Sequence, residues 1–568
     1  MPLRGKGGFS LPGTSAGRTW PIPYWNIFCR RKRHNPLRLY LSSRKHLPMP
    51  SPPDTLIPPA PDVPLATPEQ AVDKWFDTRH LKGDLKNRSV QGGFNTIGGQ
   101  AVSFLMNICS TVILARLLSP DDYGLVAMVT AITGFITIFK DLGLSAAIVQ
   151  REKIDQQQVS SVFWLNLLIS FGIAVVVALL APVLVYFYQE ERLFSITLVF
   201  AGSIFITGLS LQHNALMQRQ MKFAVLSLIQ IASTAGSLLT GILLAWGGYG
   251  YWALVATMVL TPVFSTIALW SVCSWRPSVA RQSPDLGSFL KFGAGITGFD
   301  LVNYFSRNMD NVLIGKFIGA AALGLYSKSY QLLMLPITQL RNPLNAVALP
   351  VLSSLQTEKE KFRSYYQRYL FTLAFFSMPL VVGLGVYSEE LILLVLGEQW
   401  AAAAYIFKLL AISAFIQPIA GTQGLILITT GQVRRYFLYG IYNAICITAG
   451  FAVGIYWGVA GVAIAYAIVT YLLLFPLLRF CLQGSPVSVS SFFREIAFPG
   501  GFSLLSGAAM LVYKIYLGHL PSLLLCLVGA FTGATVYILL WQSTRTSRER
   551  FQQILEIKTM LFKRIIKK

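Results

Sequence analysis

The sequence predicts an all-α polytopic membrane protein with about fourteen transmembrane helices, arranged as two six-helix lobes followed by two C-terminal helices. The first observation behind this fold class is a succession of apolar stretches between residues 92 and 541, separated by short polar connectors. The second is the composition, 54% hydrophobic and 12% charged, which is typical of a chain embedded in lipid. The third is an internal repeat at a shift of about 200 residues, as in many transporters.

The apolar stretches define the spans and the domain organisation. A spanning helix needs roughly 20 apolar residues, and stretches 159–188 and 223–246 exceed that length without one charged residue. The same criterion gives these spans: 92–115, 123–149, 159–188, 193–217, 223–246, 250–273, 290–315, 325–350, 368–387, 402–430, 436–456, 459–479, 496–517 and 521–541. We expect an N-lobe over 89–285, a C-lobe over 286–485 and two further helices over 486–542.

Both ends of the chain are predicted to be basic cytoplasmic tails that hold much of the net charge of +23. Residues 1–88 are Pro-rich with few periodic apolar positions, which predicts disorder. A transit peptide and a start codon placed too far upstream are the open alternatives for this segment. Residues 543–568 form the second basic tail.

The remaining charges predict the orientation in the membrane. Basic residues concentrate in connectors after even-numbered spans, among them Arg151, Lys153, Arg219, Lys222, Arg276, Arg434 and Arg435. Acidic residues occur after odd-numbered spans, namely Asp121, Asp122, Glu190, Glu191, Glu389 and Glu390. The positive-inside rule therefore places both termini in the cytoplasm. The chain is expected in the cell (inner) membrane. Anionic membrane lipid, and not nucleic acid, is the expected partner of this charge.

Motifs of catalysis and metal binding are not found in the sequence. The six cysteines form no C-x-x-C pair, and the five histidines form no cluster with ligand spacing. Neither a Walker loop nor a G-x-S-x-G elbow is present. We expect no metal, no cofactor and no enzymatic activity.

The repeat relates the two lobes to each other. A shift of 200 aligns Gly93 with Gly293, Gly98 with Gly298, Val112 with Val312, Arg116 with Lys316, and Gly124 with Gly324. A shift of 210 aligns Gly248 with Gly458 and Ala253 with Ala463. Because an even number of spans separates the copies, both lobes have the same orientation, and two such lobes around a cavity favour alternating-access transport. Duplication without transport is the alternative.

Several runs of sequence resemble one transporter family. They are ILARLLSPDDYGLVAMV (113–129), FKDLGLSAAIVQ (139–150), SSVFWLN (160–166) and YFSRNMDNVLIGKFIGAAALGLYSKSY (304–330). Over residues 88–540 the chain resembles the polysaccharide flippase family, lipopolysaccharide and colanic-acid-type exporters of the multidrug, oligosaccharidyl-lipid and polysaccharide exporter superfamily. The resemblance implies a bundle of twelve to fourteen helices that moves undecaprenyl-diphosphate-linked sugar repeat units between leaflets. The long N-terminal extension departs from the family pattern.

The seventh span contains the main candidate for substrate binding. Asp300, Asn303, Arg307 and Asp310 follow each other at steps of three and four, which places them on one helical face. Charged residues inside a bilayer tend to face a cavity, and a guanidinium matches a diphosphate bidentately. We expect Arg307 to bind the diphosphate of the lipid carrier. A structural ion pair with Asp310 or Asp300 is the alternative.

Three further charged residues lie inside the second and eighth spans. Lys140 and Asp141 correspond, at the 200-residue shift, to Leu340 and Arg341. We expect Lys140 and Arg341 to contribute to a cationic substrate cavity, and Asp141 and Arg341 to form a gating pair across the lobes. Independent pairing within each lobe is the alternative. The aromatic side chains Trp164, Tyr304 and Tyr330 are expected to pack at the interface or in the core, and stacking on sugars is the alternative.

These expectations combine into one function. The chain is expected to be a flippase that translocates undecaprenyl-diphosphate-linked oligosaccharide for cell-surface polysaccharide biosynthesis, with other polysaccharide-assembly proteins as a further class of partner. A multidrug or metabolite antiporter of the same superfamily is one alternative, and its cationic substrates would favour an acidic cavity. A membrane enzyme of glycan assembly, a polymerase or ligase, is the other, and it would require a large extracytoplasmic loop.

Overall fold

The computed structural model describes residues 75–76, 85–136, 144–151, 154–279, 304 and 308–552. The regular secondary structure of these ranges is helical. In the N-lobe the helices are α1 (Leu85–Leu117), α2 (Pro120–Ile136), α3 (Leu144–Gln150), α4 (Gln156–Tyr188), α5 (Arg192–Gly208), α6 (Leu211–Arg219), α7 (Phe223–Trp246) and α8 (Tyr251–Val272).

The second half of the chain continues the bundle. Its helices are α9 (308–317), α10 (Ala320–Ser354), α11 (Lys359–Val386), α12 (Ser388–Val395), α13 (Ala401–Ala420), α14 (Thr422–Thr429), α15 (Val433–Gly454), α16 (Gly458–Leu482), α17 (Val489–Leu517) and α18 (Ser522–Ser543). A 3₁₀ turn at Glu398–Trp400 precedes α13, and another at Ile455–Trp457 joins α15 to α16.

Within these ranges, 10 segments are long and apolar enough to cross a membrane. The prediction of an all-α multi-pass membrane protein is therefore confirmed. One of the segments, Val433–Leu482, contains both α15 and α16, whereas α2 has only 17 residues. The count of fourteen spans stays a prediction.

Equivalent helices pack in the two lobes. In the N-lobe, α7 packs on α8 and α4 packs on α5; in the C-lobe, α15 packs on α16 and α11 packs on α13. Helices α17 and α18 pack on each other and on α11, on the side of the C-lobe. The main contact between the lobes joins α2 to α10. The predicted lobe boundary at residues 285 and 286 lies outside the described residues.

The fourth span of each lobe is a broken helix. In the N-lobe the break at Leu209 and Ser210 separates α5 from α6, and in the C-lobe the break at Gly421 separates α13 from α14. Broken spans in corresponding positions of two repeats indicate where a transporter of this kind binds its ligand, because freed backbone groups need polar surroundings.

The two tails are described in small part. Within the predicted N-terminal tail, Trp75 is buried, its indole N–H donates to Ser274 Oγ at 2.9 Å, and its carbonyl accepts from Gln220 Nε2 at 2.9 Å. Within the predicted C-terminal tail, residues 545–552 are helical and Arg550 forms an ion pair with Glu495 at 3.2 Å. Disorder of the other residues in 1–88 and 543–568 stays a prediction.

Candidate functional site

A polar cavity of about 350 Å³ lies inside the C-lobe. Helices α9, α10, α13, α14, α15 and α16 form its wall, so it lies along the α13–α14 break. Two of the predicted site residues, Asp310 and Arg341, line this cavity together. The sequence placed them about 31 residues apart in different spans, and only the packing of α9 against α10 brings them into one space.

Asp310 is a buried carboxylate with two described hydrogen bonds. The hydroxyl of Tyr326 donates to Oδ2 at 2.9 Å, and the backbone N–H of Asn311 donates to Oδ1 at 2.8 Å. Only 6% of the residue is exposed. These two donors stabilise a charge that burial would otherwise penalise.

Arg341 lies against the break of the fourth span. A Cβ placed on Gly421 would lie 3.5 Å from Nη1 of Arg341, so the guanidinium is close to the junction of α13 and α14. Asn345, four residues further along α10, lines the same cavity. The arrangement places a fixed positive charge within a wall that is otherwise mostly polar and neutral.

The other predicted site residues lie outside the described residues. They are Asp300, Asn303, Arg307, Lys140 and Asp141. Their roles, including the Asp141–Arg341 gating pair, stay predictions.

The sequence reasoning missed the side chains that dominate the cavity wall. They are tyrosines and carboxamides: Tyr330, Tyr436, Tyr439, Tyr466, Asn345, Gln417, Gln423 and Asn443. A signal for part of this set was present, because Tyr436, Tyr439 and Asn443 recur at steps of three and four along one predicted span. Tyr330, expected to pack, accepts a hydrogen bond from Gln417 Nε2 at 3.1 Å and lines the cavity.

A second, apolar groove of about 810 Å³ lies beside α10. Helices α11, α17 and α18 form it, and Leu344 contributes from α10. It follows α11 from Thr372 to Tyr387, which corresponds to about 22 Å of helix. Its length and apolar lining suit an aliphatic chain. Neighbouring residues of α10 thus line the two spaces: Arg341 and Asn345 line the polar cavity, and Leu344 lines the apolar groove.

The lobes meet tightly at one end of the bundle, where α2 begins beside α10. A Cβ on Gly124 would overlap the carbonyl oxygen of Ala320, and a Cβ on Gly324 would overlap that of Pro120. The two contacts are exchanged by the 200-residue repeat. Only glycine permits such close approach of two backbones, so this end of the bundle is closed.

Basic residues reinforce the closed end from both lobes. Arg116 donates to the carbonyl of Leu394 at 2.6 Å, and its repeat equivalent Lys316 donates to the carbonyl of Phe187. Each acceptor lies in the last turn of a helix of the opposite lobe, where a cation is favoured. The indole N–H of Trp400 also crosses the interface, donating to the carbonyl of Ala115 at 2.8 Å.

An aromatic contact completes this seal. The ring of Tyr123 from the N-lobe packs edge-on against Trp400, with ring centroids 5.3 Å apart. The ammonium of Lys328 lies 4.4 Å from the centroid of the Tyr123 ring. Tyr123 is thus held between two C-lobe side chains, and both contacts would be lost if the lobes separated here.

The connectors at the same end also contain a salt-bridge cluster within the N-lobe. Arg192 contacts Asp121 at 2.7 Å and Glu190 at 2.7 Å. The hydrogen bond from Arg192 holds the pKa of Glu190 below its usual range. In the part of the chain that the structure describes, no group of three His, Cys, Asp or Glu side chains is arranged to hold a metal ion.

The fold and the cavity define a two-lobed, all-α membrane protein of the transporter type. The chain belongs to the polysaccharide biosynthesis protein family, whose profile matches residues 113–405. This confirms the family resemblance that the sequence motifs indicated.

Two relatives and one solved structure illustrate the similarity. The teichuronic acid biosynthesis protein TuaB of Bacillus subtilis (strain 168) is 29% identical over 388 residues, covering 65% of this chain and 77% of the relative. The succinoglycan biosynthesis transport protein ExoT of Rhizobium meliloti (strain 1021) is 24% identical over 355 residues, covering 62% of this chain and 71% of the relative. The structure of the lipid II flippase MurJ in an inward closed conformation matches with a TM-score of 0.63 and 15% identity, covering 78% of this chain and 97% of MurJ.

Proposed function

We propose that this protein is a flippase that moves undecaprenyl-diphosphate-linked oligosaccharide repeat units across the inner membrane by alternating access. Membership of the polysaccharide biosynthesis family supports the pathway, and the transport name of the relative ExoT supports the activity. The repeat-related lobes and the shared fold with MurJ are consistent with movement of one lobe against the other.

One structural observation supports a lipid-linked glycan as the class of substrate. A polar cavity lined by Arg341 and an apolar groove lined by Leu344 both lie beside the same turn of α10. A lipid-linked glycan has the same division, since its diphosphate and sugars are polar and its polyprenyl chain is apolar. In this proposal the diphosphate is bound by Arg341 together with Arg307 and Lys140. The polar face is completed by Asp300, Asn303 and Asp310. The polyprenyl chain lies along α11.

The closed end around Gly124 and Gly324 would then face away from the cytoplasm. The acidic residues Asp121, Asp122 and Glu190 lie at this end, whereas the basic connectors with Arg219 and Arg434 lie elsewhere, and under the positive-inside rule this supports the orientation. The substrate would enter from the cytoplasmic side with both termini there. Separation of the Gly124 and Gly324 backbones would release it outward.

This proposal assigns no chemical step to the protein. Among the described residues, the charged side chains that line the cavity are the carboxylate of Asp310, which is hydrogen-bonded to Tyr326, and the guanidinium of Arg341. Binding and a change of exposure are sufficient for translocation. Other polysaccharide-assembly proteins would supply the lipid-linked glycan on the inner side and use it on the outer side.

The test is deletion of the gene in the native host, followed by assignment of the accumulated lipid-linked glycan to a leaflet with a membrane-impermeant probe. Accumulation in the cytoplasmic leaflet, reversed by the full chain and not by a Gly124→Val variant, is the expected result. Loss of the lipid-linked glycan itself would indicate an enzyme of its synthesis. Normal export without the protein would contradict the proposal.

A further inference from the structure

The C-lobe cavity has the wall chemistry of a site for a neutral, polyhydroxylated ligand. Among the described residues, its polar lining consists mainly of tyrosines and carboxamides, and Asp310 and Arg341 are the charged ones. Carboxamides both donate and accept hydrogen bonds, as sugar hydroxyls do. Tyrosine adds an aromatic face on which the C–H side of a sugar ring can pack.

Two carboxamide oxygens in this wall are buried and have no hydrogen-bond partner among the residues that the structure describes. They are Oε1 of Gln417 and Oε1 of Gln423. Gln423 is only 1% exposed, so the oxygen cannot be satisfied by bulk water. Buried acceptors are normally paired, which points to a donor supplied by something that enters the cavity.

The orientation of Gln417 is fixed by its neighbours. Its Nε2 donates to the hydroxyl of Tyr466 at 2.7 Å and to that of Tyr330 at 3.1 Å. With both N–H groups engaged, the carboxamide leaves Oε1 as an unpaired acceptor. Helices α10, α13 and α16 therefore hold this acceptor in place before any ligand arrives.

The position of this wall relative to Arg341 is the second part of the argument. Arg341 lies against Gly421, between Gln417 at the end of α13 and Gln423 at the start of α14. Because Gln417 and Gln423 line the same cavity as Arg341, a ligand with a phosphate at Arg341 would have its next group in the space that both carboxamides line. The cavity volume of about 350 Å³ lies at the lower end of the roughly 300–1,000 Å³ typical of small-molecule sites.

We infer that the C-lobe cavity is a glycan subsite, in which Gln417, Gln423 and the tyrosine wall bind the sugar next to the diphosphate while Arg341 binds the phosphate. This inference rests on the proposed function and adds to it which part of the substrate the C-lobe binds. The hydroxyls of that sugar donate to the two open oxygens, and its ring packs against Tyr439. The site then distinguishes a glycan-bearing carrier from the bare carrier.

The experiment uses the full chain in proteoliposomes and two probes: the lipid-linked repeat unit extracted from the host, and undecaprenyl diphosphate without sugar. The variants are Gln423→Leu and Tyr439→Leu. The matched control is Tyr442→Leu on the same helix, because Tyr442 is 54% exposed and does not line the cavity. Initial rates of translocation are compared at equal amounts of inserted protein, and Tyr439→Leu tests the site if Gln423→Leu does not fold.

We expect both variants to slow the glycan-bearing lipid at least tenfold while the bare carrier moves at the wild-type rate. We expect Tyr442→Leu to change neither rate. Equal slowing of both lipids, or no change in either, would overturn the glycan subsite and leave the flippase proposal standing. If the wild-type protein moves neither lipid, the proposed function itself fails.

Discussion

Gly124 and Gly324 lie at the contact between the lobes, each against the backbone of the other lobe, and the 200-residue repeat exchanges them. A Cβ on Gly324 would lie 3.1 Å from the backbone nitrogen of Gly124. The sequence showed these two glycines only as a matched pair of the repeat. The structure shows that they allow α2 and α10 to approach closely enough to close one end of the bundle.

Gly124→Ala and Gly324→Ala should each open this end. One added methyl group overlaps a backbone carbonyl, and overpacking of this kind costs about 1–3 kcal/mol. We expect roughly a tenfold or greater fall in the ratio of closed to open molecules, with transport reduced accordingly. The measurement is the thiol-labelling rate of a Met128→Cys reporter, because Met128 is buried in the closed form. Gly172→Ala is the control, since nothing lies within 4 Å of its Cβ position; equal labelling in all three would contradict the close-packed seal.

The variants Arg116→Gln and Lys316→Gln should weaken the contact between the lobes at the same end without changing the packing within either lobe. Each residue donates a charge-assisted hydrogen bond to a carbonyl of the opposite lobe, and such bonds contribute about 1.5–3 kcal/mol. We expect faster labelling of the Met128→Cys reporter in each variant. Arg192→Gln is the matched control, because the partners of Arg192 are within the N-lobe. A similar effect in the control would indicate a general loss of stability at this end.

Cysteine accessibility should report the orientation of the chain. Gln218 and Glu191 are both exposed, at opposite ends of the N-lobe fourth span. In a background with the native cysteines changed to serine, Glu191→Cys should react with an impermeant thiol reagent outside intact cells, and Gln218→Cys should react only after lysis. The reverse pattern would invert the topology and place the closed end in the cytoplasm.

Filling the apolar groove should stop transport of a lipid-linked substrate. Ala530→Phe places a large ring in the space between α11 and α18. We expect at least a tenfold loss of export with normal insertion. Thr535→Phe, exposed on the same helix but not in the groove, should retain export. Full export by Ala530→Phe would show that the polyprenyl chain does not use this groove.

Arg341→Ala should abolish export, and Arg341→Lys should restore only part of it, because an ammonium lacks the planar fork that binds a diphosphate bidentately. Arg434→Ala is the control, since Arg434 is exposed at the start of α15 and does not line the cavity. Export of labelled polysaccharide and the amount of inserted protein would be measured together. Wild-type export by Arg341→Ala would remove this residue from the substrate site.

Part of the candidate site could be predicted from the sequence because charges within apolar spans are rare and conspicuous. Asp310 and Arg341 were found in this way, and they do share a cavity. Gln417 and Gln423 could not be found, because neutral polar residues are common in spans and are ambiguous without knowledge of their neighbours. The groove could not be predicted either, since it is a gap between apolar helices that differ little from one another in sequence.

The sequence by itself determined that this protein is an all-helical membrane bundle of two related lobes, because span length, apolar composition and repeat spacing are properties of the chain alone. Only the tertiary structure decided where the lobes close, which side chains share the C-lobe cavity and which helices line the apolar groove. Those features depend on contacts between residues far apart in sequence: Gly124 with Ala320, Arg116 with Leu394, and Gln417 with Tyr466. Such contacts follow from how helices pack against one another, and helical periodicity fixes only the face that each helix presents.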